Sequence, residues 1–178
     1  FPFISTNINQ LSTNTLPNYL EEYTIIERQE IKIAVIGYIG YDQTADIAAS
    51  MLIDYEFTEP IEELRENIKT ARTVDDADVV IVCCHDDSSA INNLLANYTG
   101  EYEVDAIINA HTHNTTAKRI FRSSEKKHVP TVQSSSSGEY VGVTTLVFDK
   151  STSDVVEASS PEAIEPKVEI SYLSFSNF

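Results

Sequence analysis

Two imidazoles one residue apart, His111-Thr112-His113, close the run Ile107-Ile108-Asn109-Ala110 and are followed by Asn114. A third, His85, closes the apolar run Val79-Val80-Ile81-Val82-Cys83-Cys84 and is followed by Asp86-Asp87. Neutral imidazole is a common ligand of divalent cations, and carboxylates complete such sites. Either motif alone has an ordinary explanation: a strand-end histidine is usually a polar surface residue, and His-x-His arises often by chance. Both motifs at consecutive strand ends make coincidence a weaker account. A mononuclear site built from His85, His111, His113 and Asp86 or Asp87 is one arrangement they allow. The loop Gln133-Ser134-Ser135-Ser136-Ser137-Gly138 follows a further strand-like run, and its small residues admit close approach of a ligand. It lacks the glycine pattern and lysine of a phosphate-cradling loop, so such a run is more often a flexible connection than a phosphate cradle. Nucleophilic catalysis is disfavoured: there is no G-x-S-x-G elbow, and Cys84 and His85 are strand neighbours that point to opposite faces. His128, beside Lys126 and Lys127, reads as surface.

These residues need rigid elements beneath them. Tyr23–Glu27 and Ile31–Gly37 read as two strands joined in a hairpin through Arg28-Gln29-Glu30. Pro60 suits the first position of a helix capped by Thr58 or Glu59, with Ile61, Leu64, Ile68 and Ala71 on one face. Asp78–Cys83 is the next strand. Ser88 caps a second helix carrying Ile91, Leu94, Leu95 and Tyr98 and stopped by Gly100. Val104–Ile108 is a strand with His111 and His113 just beyond it. Residues 114–127 read as a polar connection with a basic cluster. Val129–Gln133 is a strand that Pro130 assigns to an edge or a strand start. Tyr140–Asp149 reads as one long strand, and Lys167–Leu173 as one more. Phe3–Ile8 suggests a short strand and Ala45–Leu52 a short helix. The pattern is α/β, with parallel strand-helix units first and mostly antiparallel strands after them. Parallel strands bring their carboxyl ends to within about 5 Å of one another, so the histidine motifs fall at one sheet edge.

A chain of 178 residues is one domain's worth. Twelve basic against 28 acidic residues give a net charge of −16, which argues against nucleic-acid binding. It would also repel a phosphorylated substrate unless bound cations invert the local potential. Cys83 and Cys84 are the only cysteines; as sequence neighbours they read as buried thiols, which leaves the redox compartment open. Asn97-Tyr98-Thr99 and Asn114-Thr115-Thr116 match the N-glycosylation pattern. No stretch approaches the roughly 20 apolar residues of a membrane span. The chain opens at Phe1, which reads as a processed protein or a piece of a longer one.

Ile33–Gly37, Asp78–His85, Asp105–Asn114 and Val132–Gly142 occur in an order that resembles the second half of the calcineurin-like metallophosphoesterase domain, 5′-nucleotidase subfamily. The resemblance is strongest over residues 1–150, with 151–178 a tail or extra strand of the same domain. It implies half of a four-layer α/β/β/α sandwich holding two divalent metal ions, drawn from Zn, Mn, Mg or Co. His85 and His111 would ligate one metal and His113 the other, with Asn114, Ser136 and Gly138 meeting the substrate. The implied activity is hydrolysis of nucleotide 5′-monophosphates or related phosphoesters by a metal-activated water, at a secreted or cell-surface location. The alternative is a non-catalytic binding module of the same fold. Two departures stand out. Ala110 replaces the glycine before the first histidine, and the D-x-H, G-D and G-N-H motifs that supply the remaining ligands do not precede this segment. No catalytic residue is therefore assigned within the chain, and the missing N-terminal half of the domain is the expected partner.

Overall fold

A computed structural model describes residues 1–165; the strand expected at Lys167–Leu173 lies outside them. Among the described residues, fourteen strands and α-helices follow one another: β1 (Ile8–Gln10), β2 (Tyr23–Arg28), β3 (Ile31–Ile39), β4 (Tyr55–Phe57), α1 (Ile61–Thr73), β5 (Val79–His85), α2 (Ser89–Ala96), β6 (Ala106–Asn109), β7 (Thr115–Arg122), β8 (Lys127–Ser134), β9 (Val141–Val143), β10 (Leu146–Asp149), β11 (Asp154–Ala158) and β12 (Glu162–Ile164). The central sheet is six-stranded in the order β2-β3-β5-β6-β8-β7. Its four inner strands run parallel, and β2 and β7 are antiparallel edges. Three two-stranded pairs, β1-β4, β10-β11 and β12-β9, surround it.

Alternation along the strands sends Ala34, Ile36, Tyr38, Val80, Val82, Cys84, Ile107 and Val129 to one face. There they pack against Leu64, Ile68 and Ala71 of α1 and Leu95 and Ala96 of α2. The expected helical spacing of α1 is thereby accounted for. Ser88 caps α2 as read from sequence, its Oγ accepting from the Ile91 N–H at 3.4 Å. The β2–β3 hairpin turns on Gln29 and Glu30, both with positive φ, as a two-residue loop between right-twisted strands requires.

The opposite face is only partly covered. Gly37 sits under the N-terminal segment: a Cβ there would lie 2.7 Å from the Ile4 carbonyl oxygen. At the other flank, Gly142 of β9 packs on Val132 and Ser134. Between these flanks lies an open apolar cleft of about 350 Å³ lined by Ile4, Ile8, Cys83 and Ile108, with His85 and Ala110 at its end.

Several expectations are corrected. Residues 114–127 are not a polar connection: Thr115–Arg122 is an eight-residue strand paired along its length with β8. As an edge strand it keeps Lys118 and Arg119 exposed and so carries little apolar pattern. β8 is consequently interior, although it contains Pro130. It pairs with β6 only at Thr131 and Val132, so the proline precedes that ladder. Ala45–Leu52 forms two 3-10 turns, Tyr41–Asp46 and Ala49–Met51, instead of one helix. Pro60 occupies the cap position itself. α2 ends at Ala96, and Gly100, with φ of 62°, opens a later 3-10 turn. Tyr140–Asp149 is broken into β9 and β10 because the two halves pair with different partners. Of Phe3–Ile8, only a single bridge at Ile4 and the start of β1 are extended pairs.

Candidate metal centre

The parallel strands deliver the sequence-predicted residues to one edge. In register, Ile39 of β3 lies beside His85, and Cys84 of β5 beside Asn109 of β6. His85 thus stands at the tip of β5, next to the loop that leaves β6 through Ala110 into His111. The rings of His85 and His111 meet edge to face, centroids 5.1 Å apart and planes at 70°. Partial burial, then the charges His111 and His113 would carry, pushes His85 below its ordinary pKa, against an opposing pull from Asp86. For His85 this favours the neutral ring, the protonation state of a metal ligand.

His111 and His113 both have left-handed backbones, with φ of 82° and 57°. The Thr112 N–H donates to the Ala110 carbonyl at 3.2 Å, which makes His111 the centre of a γ-turn of the rare, strained hand. Non-glycine residues in this region carry strain of about 1–3 kcal/mol each. Ala110 is not among the positive-φ residues, so its methyl fits where a glycine was expected.

The carboxylates expected to join the histidines are engaged elsewhere. Asp86 Oδ1 accepts from the Ser88 N–H at 2.8 Å. Asp87 accepts from Asn109 and Gln133 side chains and from the Thr112 hydroxyl. The acid that does face an imidazole is Asp46, whose Oδ2 is 3.7 Å from His111 Nε2. It lies at the end of a 3-10 turn and carries no sequence signal. Among the described residues, no three His, Cys, Asp or Glu side chains are close enough to share one cation. Imidazoles with a carboxylate nearby have the chemistry of divalent-metal ligands, but among the described residues their number is short of a complete site.

Asn114 belongs to this edge. Its side-chain amide donates to Thr112 Oγ at 3.1 Å, and its main-chain carbonyl accepts from the Ser135 N–H at 3.0 Å. The serine loop is thus tied to the histidine loop at Ser135. The Ser136 carbonyl accepts the Glu139 N–H, and Gly138 lines a separate open cleft with Glu139, Tyr140 and Glu165.

The chain matches no family model. Among curated proteins it is 40% identical over 86 residues to UshA of Salmonella pullorum, covering 48% of this chain and 15% of UshA. It is 27% identical over 168 residues to an apyrase of Aedes albopictus, covering 79% of this chain and 28% of the apyrase. The chain thus spans less than a third of the length of these relatives. Among solved structures, a putative 5′-nucleotidase from Staphylococcus aureus superposes with a TM-score of 0.75 at 17% identity, over 98% of this chain and 35% of that one. The calcineurin-like phosphoesterase YfkN from Bacillus subtilis gives 0.69 at 23% identity, over 93% and 56%. The six-stranded mixed sheet with its helices is the fold these phosphoesterases share, as the sequence resemblance implied.

Proposed function

We propose that this chain forms the histidine-bearing part of a metal-dependent phosphoesterase that hydrolyses nucleotide 5′-monophosphates or related phosphoesters. The observation that carries this reading is the meeting of His85 and His111 at 5.1 Å, on the carboxyl edge of a sheet shared with phosphoesterases. In this reading His85 and His111 hold one divalent cation and His113 a second, with Zn, Mn, Mg or Co as candidates. When bound, such cations act as Lewis acids toward phosphoryl oxygens and lower the pKa of water. The chain's own residues favour the neutral ring at His85 and hold the His111–His113 loop by hydrogen bonds to Thr112. Asn114, Ser136 and Gly138 contribute the substrate side. A chain of net charge −16 would otherwise repel a phosphomonoester, and cations at this edge reverse that field.

The remaining metal ligands, in this reading, come from polypeptide outside this sequence, the missing half of the domain. The open apolar face bearing Cys83 and the 43%-exposed Ile108 is where that half packs, because an uncovered sheet face of this kind is otherwise an association hazard. A secreted or cell-surface location belongs to the same proposal. No helix among the described residues is long and apolar enough to cross a membrane.

The test is hydrolysis of nucleoside 5′-monophosphates, with each candidate metal, by the longest polypeptide containing this sequence. His111→Ala and His113→Ala should each abolish it. Turnover in both variants unchanged from that of the unaltered polypeptide ends the proposal. The incomplete donor set among the described residues favours one rival, a binding module of the same fold without catalysis. A parent polypeptide that carries no divalent metal after purification and reconstitution would decide for that rival.

A further inference from the structure

We propose that Asp87 and Thr112 are positioning residues: the carboxylate holds the histidine loop in its strained shape through the threonine hydroxyl. Asp87 follows the tip of β5, and three side chains from separate parts of the chain converge on it. Asn109 Nδ2 of β6 donates to Oδ1 at 3.1 Å. Thr112 Oγ, from the loop, donates to Oδ2 at 3.1 Å. Gln133 Nε2 of β8 donates to Oδ2 at 3.1 Å and to Thr112 Oγ at 2.8 Å. All three partners of Asp87 are donors, so a full carboxylate, with acceptor capacity on both oxygens, matches them where an amide would set N–H against N–H.

Thr112 is used to capacity. Its hydroxyl donates once, to Asp87, and accepts twice, from Gln133 and from Asn114 at 3.1 Å. One donor and two acceptor sites are all a hydroxyl has. Thr112 itself is solvent-exposed, so these bonds do not serve a core. They fix the residue between His111 and His113, the two left-handed positions. A strained backbone persists only where its surroundings over-determine it, and this buckle is the surrounding that does so. The far end is anchored in the sheet: Gln133 is 1% exposed, Asn109 is 4% exposed, and Asn109 Oδ1 accepts from the Cys84 thiol at 2.7 Å.

The geometric part of this inference stands without a metal; its consequence for binding rests on the metal reading proposed above. Outer partners that orient metal-ligating groups change affinity by about 10- to 100-fold when removed. The experiment compares Thr112→Val, Thr112→Ser and Asp87→Asn with the unaltered protein, each as the longest polypeptide containing this sequence. The readouts are the backbone amide NMR signals of His111 and His113 in metal-free solution, zinc affinity by calorimetry, and the thermal midpoint. Thr112→Val and Asp87→Asn should displace both histidine signals and weaken zinc binding by about 10- to 100-fold. Thr112→Ser, which keeps the hydroxyl, should restore both, and the midpoint of Thr112→Val should stay near that of the parent. Histidine signals unmoved in both Thr112→Val and Asp87→Asn overturn the proposal, as does an equal displacement in Thr112→Ser. If Asp87→Asn fails to fold, the threonine pair decides. If the signals move as expected but the unaltered protein takes up no zinc, the positioning role stands and the metal reading falls.

Discussion

His85 and His111 touch edge to face from the tips of neighbouring parallel strands, their ring centroids 5.1 Å apart. Two imidazoles that share one cation must act as a unit, so their contributions to binding are non-additive. His85→Ala and His111→Ala should each remove most zinc affinity, and the double variant should lose little more than either single one. Contacting residues typically show coupling of about 0.5–3 kcal/mol in such a cycle. Zinc titration of the four proteins, each as the longest polypeptide containing this sequence, reads it directly. Strictly additive losses would mean that the two rings serve different ions or none.

Arg122 is a second, purely structural relationship. It is 1% exposed and spreads its donors over Ala96 and Val104 carbonyls and the carboxylates of Glu103 and Glu125. It joins the edge strand β7 to the end of α2 and the entry to β6. Removing one partner of a buried ion pair strands the other charge, at about 3–5 kcal/mol. Arg122→Ala should therefore lower the denaturation free energy by that amount. Arg122→Lys should recover only part, since a point charge cannot reproduce the planar fork. Denaturant titration measures both, and a loss under about 1 kcal/mol for Arg122→Ala would place the pair among surface contacts.

Burial pushes the thiols of Cys83 and Cys84 above their ordinary pKa. The unfolded chain releases thiol protons near pH 8.5, whereas the folded protein retains them. The folded state then binds more protons, so stability falls as pH rises above about 8.5. The limiting slope is about 1.4 kcal/mol per pH unit for each thiol. Below that pH the contribution is constant. Chemical denaturation between pH 7.5 and 10 should show this decline, and a Cys83→Ala, Cys84→Ala variant should flatten it. Parallel pH profiles for the two proteins would exclude the thiols as its source.

Much of the site's support is legible in sequence because parallel strands write continuous apolar runs: Val79–Cys84 and Ala106–Ile108 sit in the inner strands, and their ends meet at one edge. β7 is not legible. One of its faces is open to solvent, and its buried Arg122 looks in sequence like one more member of a basic cluster. Asp87 reads as a ligand because an acid beside a histidine is the ordinary signature of one. Its actual partners, Thr112 and Gln133, lie 25 and 46 residues away, and no local pattern announces a bond of that separation. Asp46 escapes for a different reason: a 3-10 turn with no periodic face gives nothing to read.

Gly37 is the position where a single methyl tests the covered flank of the sheet. The N-terminal segment crosses β3 there, with the Thr6 N–H donating to the Gly37 carbonyl at 2.8 Å. Asn7, wholly buried, holds the segment further: its amide donates to the Ile39 and Thr58 carbonyls, and its oxygen accepts from the Ile39 N–H. A Cβ at residue 37 would stand 2.7 Å from the Ile4 carbonyl oxygen, a backbone atom that cannot rotate away. Gly37→Ala must therefore lift the segment or bend the strand, and overpacking of this kind typically costs about 1–3 kcal/mol. For a chain of this size each kcal/mol lowers the melting midpoint by about 2–4 °C. Residues 1–10 should also become cleavable by protease at concentrations that leave the unaltered protein intact. His85 and His111, reached from β5 and β6, should keep their amide signals. An unchanged midpoint together with unchanged cleavage would mean that the segment does not lie on β3.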